Sequence, residues 1–202
     1  MFPLGTVVFP HSVLPLHVFE PRYRALVQAV RADNAEFGTV LIERGSEVGG
    51  GDMRFGVGTR VRLVRCEQFP DGRYAIAVAG VGRLRVVEWL PDDPFPRAIV
   101  ESLDEGAGGG DATSARSEAE ARVAEVHACW ARLDPRFDAS RLSPLDPDPV
   151  VASYELCARC GLDGLDALRL LEAPDVRTRL ELVAELLADQ LVLLRAHLDG
   201  EP

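Results

Sequence analysis

The residues best spaced for chemistry are Cys157 and Cys160, separated by Ala-Arg. A CxxC pair serves either thiol–disulfide exchange or half of a tetrahedral zinc site, because two thiolates at that spacing can reach one centre. Structural zinc needs four ligands, and Cys66 and Cys129 make no matching second pair. A redox CxxC wants its thiolate at the start of a helix, where the surrounding field lowers its pKa. Here the pair falls late in a predicted helix. The expectation is two buried core thiols, with no metal and no cofactor.

The stretch "GSEVGGGD" (45–52) has the glycine content of a phosphate-cradling loop. It lacks a Lys and leads into a strand, so no helix N-terminus would face an anion, and it reads as a strand-to-strand connection. The histidines at 11, 17, 127 and 197 show no HExxH spacing, and no G-x-S-x-G elbow is present to pair with one. His17 reads as a strand residue, and His127 and His197 as polar-face helix residues. Asp92-Asp93 and Asp146-Pro-Asp148 sit in Pro-rich loops, where solvated charge is the expectation, although paired carboxylates are also the equipment of acid–base hydrolysis. No catalytic residue is assigned.

Arg60, Arg62, Arg83 and Arg85 could project from neighbouring strands as one basic outer face, the arrangement of an RNA-binding sheet. Glu67, Glu88 and Glu101 interrupt the same strands, and aromatics interleaved with the Arg are missing. A salt-bridged, solvated face is therefore expected.

The chain has 202 residues, 47% of them hydrophobic, enough for one large domain or two small lobes with real cores. Its formal charge of -10 argues against general nucleic-acid binding, which draws on clustered basic side chains. The charge is uneven: residues 1–104 hold 12 Arg against 13 acids, whereas residues 105–202 hold 10 Arg against 19 acids. No lysine occurs anywhere. Neither a membrane span nor a signal peptide is recognisable, and the scattered cysteines suit a reducing compartment, so a cytoplasmic protein is expected.

The elements follow from periodicity. Short runs rich in Val, Ile, Leu and Phe at 5–9, 13–19, 37–43, 56–69, 74–81, 83–89 and 97–103 predict seven strands, with "PDGR" (70–73) as a hairpin turn. One helix is predicted among them, from Pro21 to about Arg31, with Pro21 at its first position. Seven close-spaced strands suggest a barrel-like or strongly twisted sheet. "EGAGGGDATS" (105–114) has the composition of a flexible linker. Beyond it, Ala119, Val123, Val126, Trp130 and Leu133 form a helical stripe, and further helices are predicted at about 149–159, 163–172 and 175–199, the last stopped by Gly200. The expected fold class is α+β: a β lobe over 1–104, the linker at 105–114 and an α-helical bundle over 115–202.

The opening "FPLGTVVFPHSVLPLHVFEPRYRALV" resembles the start of the Lon protease N-terminal, substrate-binding domain family, with its Phe-Pro-Leu strand and its strand-to-helix junction. "FGTVLIERGSEVGGGD", "GVGTRVRLVRCEQFPDGRYAIAVAGVGRLRV", "PDDPFPRAIVESLDE" and "LLEAPDVRTRLELVAELLADQLVLL" continue the family's order, and the likeness is weakest over about 105–150. The resemblance implies a PUA-like pseudo-barrel followed by a helical bundle, capturing unfolded or tagged protein. Full Lon enzymes continue into an ATPase and a Ser-Lys protease. A sequence without lysine has neither a P-loop Lys nor a Ser-Lys dyad, so the resemblance implies a stand-alone, non-catalytic binding module.

Under that reading Glu20, Pro21, Arg22, Tyr23 and Arg24 set the strand-to-helix corner, with Glu20 ion-paired to an Arg. Affinity is expected from apolar side chains at the barrel rim and in the groove facing the bundle, with backbone hydrogen bonds adding register. Phe2, Phe9, Phe69, Trp89 and Phe95 are the candidates for peptide binding. Expected partners are unfolded or extended protein segments, with Lon or another protease as a further partner and no membrane. Two rival readings are an RNA-binding PUA-like module and an unrecognised hydrolase.

Overall fold

The computed structural model describes residues 1–33, 36–44, 53–106 and 110–200. Its elements are strands β1 (Phe2–Leu4) and β2 (Val13–Val18), helix α1 (Pro21–Asp33), strands β3 (Glu36–Arg44), β4 (Met53–Gln68), β5 (Tyr74–Leu90) and β6 (Arg97–Leu103), and helices α2 (Thr113–Leu133), α3 (Pro149–Arg159), α4 (Gly164–Glu172) and α5 (Val176–Asp199). The fold is α+β. The chain divides into two compact units, one of Met1–Asp104 with Asp163–Leu171, the other of Glu105–Leu162 with Glu172–Pro202.

In the first unit the sheet runs β1-β3-β4-β5-β2, with β6 also paired to β5. Among the described residues only the β1–β3 pairing is parallel. The end strands β1 and β2 share one core, in which Phe2, Leu4 and Val18 pack with Val61, Ile76, Val78 and the α1 residues Tyr23, Leu26, Val27 and Val30. That shared core is what curls the sheet into a pseudo-barrel. Each large apolar side chain so buried is worth about 1.5–3 kcal/mol, so the 3.6-residue stripe on α1 holds the helix across the barrel.

Three differences from the sequence reading have physical causes. The run at 5–9 is not a strand, although Val8 and Phe9 are buried. Its neighbourhood is satisfied otherwise: Thr59 Oγ1 donates to the Val8 carbonyl, His11 N donates to Gly80 O at 3.0 Å, and Gly80 N donates to Ser12 O at 2.9 Å. A Cβ on Gly80 would strike the Phe9 carbonyl, so the glycine admits this close crossing. The strands predicted at 74–81 and 83–89 are one strand, β5, which passes through Gly80 and Gly82 and changes partner there, pairing with β2 before the glycines and with β6 after them.

The third difference is α4, expected in the helical half but part of the first unit through Leu171. Leu168 and Leu171 line a tightly filled gap with Val40, Leu41, Val57 and Thr59, and Thr6 Oγ1 lies 3.3 Å from Asp163 Oδ1. Helical periodicity reveals that a face is buried, not what it is buried against.

In the second unit α2 lies along α5, and α5 buries Leu180, Val183, Ala184, Leu187 and Leu191. Asp148 caps α3 by accepting from Val150 N and Val151 N, Asp175 caps α5 by accepting from Thr178 N, and Gly200 ends α5 in the left-handed region. Glu105 and Gly106, assigned to a flexible linker, are pinned: Gly106 N donates to Pro174 O at 2.9 Å, and Glu105 receives Arg179 Nη2 at 3.0 and 2.8 Å. Arg179 is fully buried, also donates to Ser153 Oγ at 2.8 Å and the Tyr154 hydroxyl at 2.9 Å, and lies over the Tyr154 ring at 3.8 Å. Among the described residues no helix is long and apolar enough to cross a membrane.

Candidate functional site

The strand-to-helix corner is an ion-paired joint. Arg22 Nε donates to Glu20 Oε2 at 3.1 Å while its guanidinium lies 4.4 Å over the Tyr23 ring. Tyr23 in turn stacks on Phe2 with ring centroids 4.2 Å apart, joining α1 to β1. Aromatic pairs of this kind add about 0.5–1.5 kcal/mol beyond burial. Arg24 lies over the hairpin turn, where a Cβ on Gly72 (φ 81°) would run into its guanidinium. In the same turn Asp71 accepts from Arg73 N at 3.0 Å and from Arg73 Nε at 2.6 Å, and the backbone hydrogen bond leads in holding its carboxyl below the usual range. Glu20, Arg22, Tyr23 and Arg24 thus all make contacts within the first unit. What they position is the next turn of α1.

That turn forms one wall of a groove of about 450 Å³ in the first unit. Leu26, Ala29 and Val30 of α1 face Phe37 and Gly38 of β3, Leu84 of β5, Ala98 and Val100 of β6, and Phe95 from the preceding loop. The volume falls within the range of ligand sites, roughly 300–1,000 Å³. At the base, a Cβ on Gly38 would press into the ends of the Met1 and Leu84 side chains, which would have to shift.

The polar groups of the groove are few. Glu36 is shared by Arg60 Nε at 2.9 Å and Arg62 Nη2 at 2.6 Å, and Arg60 Nη1 donates to Ser102 Oγ at 3.3 Å. Such part-exposed pairs contribute about 0–1 kcal/mol each to stability. They place the Arg60 guanidinium beside Glu36 and Ser102. Arg97 lines the groove from β6, is exposed, and has no hydrogen bond or ion pair to its guanidinium among the described residues. The groove is therefore apolar inside and net positive at its edge.

A second hollow of about 260 Å³ is lined by His17, Val18, Phe19, Phe69, Arg73 and Tyr74. Phe19, 52% exposed, stands at the end of β2 immediately before the corner. It was not among the candidates, although its place between a strand end and an ion-paired turn leaves it little core to enter.

The five candidate aromatics do not form one patch. Phe2 and Phe9 are core residues, which removes them from any exposed binding surface; Phe2 is held by the Tyr23 stack and Phe9 by the crossing at Gly80. Phe69 lies in the second hollow. Trp89 packs beside the Met1–Val40–Leu84 cluster, with the Arg54 guanidinium 4.7 Å over its ring. Phe95 alone reaches the groove. Sequence reasoning missed Ala29 and Arg97, whose signal was faint: Ala29 borders the α1 stripe, and Arg97 follows Pro96 at a strand start.

The other chemical candidates resolve into structure. Arg83 does not share an outer face with Arg60, Arg62 and Arg85: it is buried and donates to the carbonyls of Leu171 at 3.0 Å and Asp104 at 2.9 Å. Arg85 lies 3.5 Å from Glu101. Asp92 pairs with Arg54 at 3.3 Å, and Asp146 accepts from Asp148 N at 2.8 Å. Cys157 and Cys160 are buried free thiols; burial pushes both pKa values up, that of Cys160 to about 11. Thiols so disposed are poor nucleophiles. His127, assigned to a polar face, is buried against Trp130 and Phe137 with Nε2 2.9 Å from the Arg159 carbonyl. Aromatic contacts and one backbone partner satisfy both of its characters. The residues of "GSEVGGGD" lie outside those described.

The architecture is that of an α+β module in which a curled mixed sheet is followed by a helical region. Comparison with known proteins gives its relatives. Over residues 1–189 the chain matches the ATP-dependent protease La (LON) substrate-binding domain, and it belongs to that family. It is 27% identical to Lon protease 2 of Myxococcus xanthus over 95% of this chain, and 30% identical to Lon protease of Trichlorobacter lovleyi over 93%. It spans 23% of the length of each of these relatives. Among solved structures it shares its fold with a Lon N-terminal domain protein from Xanthomonas campestris (TM-score 0.60, 24% identity, covering 93% of this chain and 95% of that one). The N-terminal domain of a Mycobacterium avium complex Lon protease aligns similarly (TM-score 0.60, 19% identity, 93% and 97% covered).

Proposed function

We propose that this chain is a non-catalytic module that holds unfolded or extended protein segments, with the groove beside α1 as the principal contact. The observation that carries this reading is the open, apolar groove of about 450 Å³ on the fold of a substrate-binding domain. Apolar side chains from a segment without tertiary structure gain by leaving water there, at about 25 cal/mol per Å² buried. A folded protein has already buried its own such side chains, and this difference is the basis of selection.

Phe69 and Phe19 form a second apolar contact along the same unit, so an extended segment engaging both hollows would gain through effective concentration. The buried thiols favour binding over covalent chemistry, since neither is poised as a nucleophile.

The test is binding of a permanently unfolded probe, reduced and carboxymethylated lactalbumin, followed by fluorescence anisotropy beside its native form. Preference for the unfolded probe is expected, with affinity falling at least tenfold in Ala29→Glu. Ala29 is exposed, so this charge enters the groove without entering the core. Equal affinity for native and unfolded probes, or no loss in Ala29→Glu, would remove the groove from the reading.

A further inference from the structure

Resting on that reading, we propose that the groove is specific for the free C-terminal end of a polypeptide, seating an apolar last residue against Leu26, Val30, Phe37 and Phe95 while Arg97 receives the terminal carboxylate. The inference comes from an imbalance of charge. The charged side chains lining the groove are Glu36, Arg60 and Arg97; the Met1 amine is tied to the Pro96 carbonyl, and burial lowers its pKa to about 6. Glu36 is engaged by both Arg60 and Arg62, so its charge is already answered. Arg97 has no such partner among the described residues, and it lies on the same strand as Ala98 and Val100 of the groove. An unpaired guanidinium at the edge of an apolar hollow is complementary to a ligand with apolar bulk and one anionic end.

A chain terminus has that composition at a fixed short distance. Its carboxylate is bonded directly to the Cα that bears the last side chain, so a seated side chain and a bound carboxylate constrain each other. An internal segment presents a neutral amide at that place and leaves Arg97 unanswered. The planar guanidinium can donate to both carboxylate oxygens at once, which favours the acid over the amide geometrically as well as by charge. The Arg60 side chain, held by Glu36 and Ser102, adds a second positive group on the lining.

The experiment compares two short Gly/Ser peptides ending in Leu-Leu, fluorescein-labelled at the N-terminus, one a free acid and the other a C-terminal amide. The acid is expected to bind about tenfold more tightly, a gap of about 1.4 kcal/mol, and the gap should narrow as salt is raised. Arg97→Gln should abolish the gap while leaving the amide's affinity unchanged, and Arg85→Gln, on the same sheet but outside the groove, should leave both affinities as they were. Equal binding of acid and amide by the unaltered protein overturns the inference while leaving the proposed function intact if the unfolded lactalbumin still binds. Loss of all binding, to peptides and unfolded protein alike, overturns both. A gap that persists in Arg97→Gln also overturns it, as does decanoate competing as well as the acid peptide, since the groove would then read a carboxylated chain rather than a peptide end.

Discussion

Two arginines show how differently the two units use one side chain. Arg97, in the β unit, is exposed at the edge of an apolar groove and makes no side-chain partner among the described residues. Arg179, in the helical unit, is fully buried and donates to Glu105, Ser153, Tyr154 and the Ala173 carbonyl. In a chain whose 22 basic residues are all Arg, residue type distinguishes neither role. Partnering does. A buried guanidinium left unpaired would be prohibitive, so the bundle surrounds it with acceptors; an exposed one keeps its hydration at little cost and stays available to a ligand.

The comparison is broken most severely in the bundle. Arg179→Leu removes the buried cation that Glu105, Ser153 and Tyr154 share, and should cost about 3–5 kcal/mol, read as a lower midpoint in urea. The pair Arg179→Met with Glu105→Leu should recover most of that loss, because it removes the carboxylate along with the cation that paired it. A single variant that unfolds at the original midpoint would show that the cluster does not anchor residue 105.

A smaller effect concerns the thiols. Cys66 is half-buried in the β unit, whereas Cys157 and Cys160 are buried in the bundle with raised pKa values. With a thiol-reactive disulfide near neutral pH, Cys66 should label at least tenfold faster than the CxxC pair. Labelling of Cys160 should gain only as pH approaches about 11, where its thiolate forms. Equal rates would mean that the bundle opens readily on its own.

The smallest effect belongs to the β unit. Arg97→Gln should change folding stability by no more than about 0.5 kcal/mol, measured in the same urea series. A larger loss would mean that Arg97 is part of the fold and not reserved for a ligand.

Much of the local structure was legible because it depends on neighbours in sequence. Pro21 at the first position of α1, the Gly72 turn and Gly200 ending α5 are all decided within a few residues by backbone sterics and hydrogen bonding. The Glu20–Arg22 ion pair was legible too, since the two residues are close enough in sequence to meet. The motif order pointed to the family over nearly the whole chain.

The site was less legible, and His127 and Arg83 show why. Both read as surface residues because they are polar, yet each is buried with carbonyls that lie far away in sequence. Composition sets how many polar groups a chain must satisfy, not which carbonyl will satisfy each one. Phe2 and Phe9 are the converse, aromatics at apparent edges that the curled sheet takes into its core.

The sequence by itself determined the α+β class, the helix ends, the turns and the thiols' place in a core, because these follow from periodicity and from interactions a few residues long. Only the tertiary structure decided that α4 joins the sheet, that Phe95 reaches the groove while Phe2 does not, and that Arg97 stays open while Arg179 is enclosed. Those outcomes depend on contacts between distant segments, which a one-dimensional pattern does not contain.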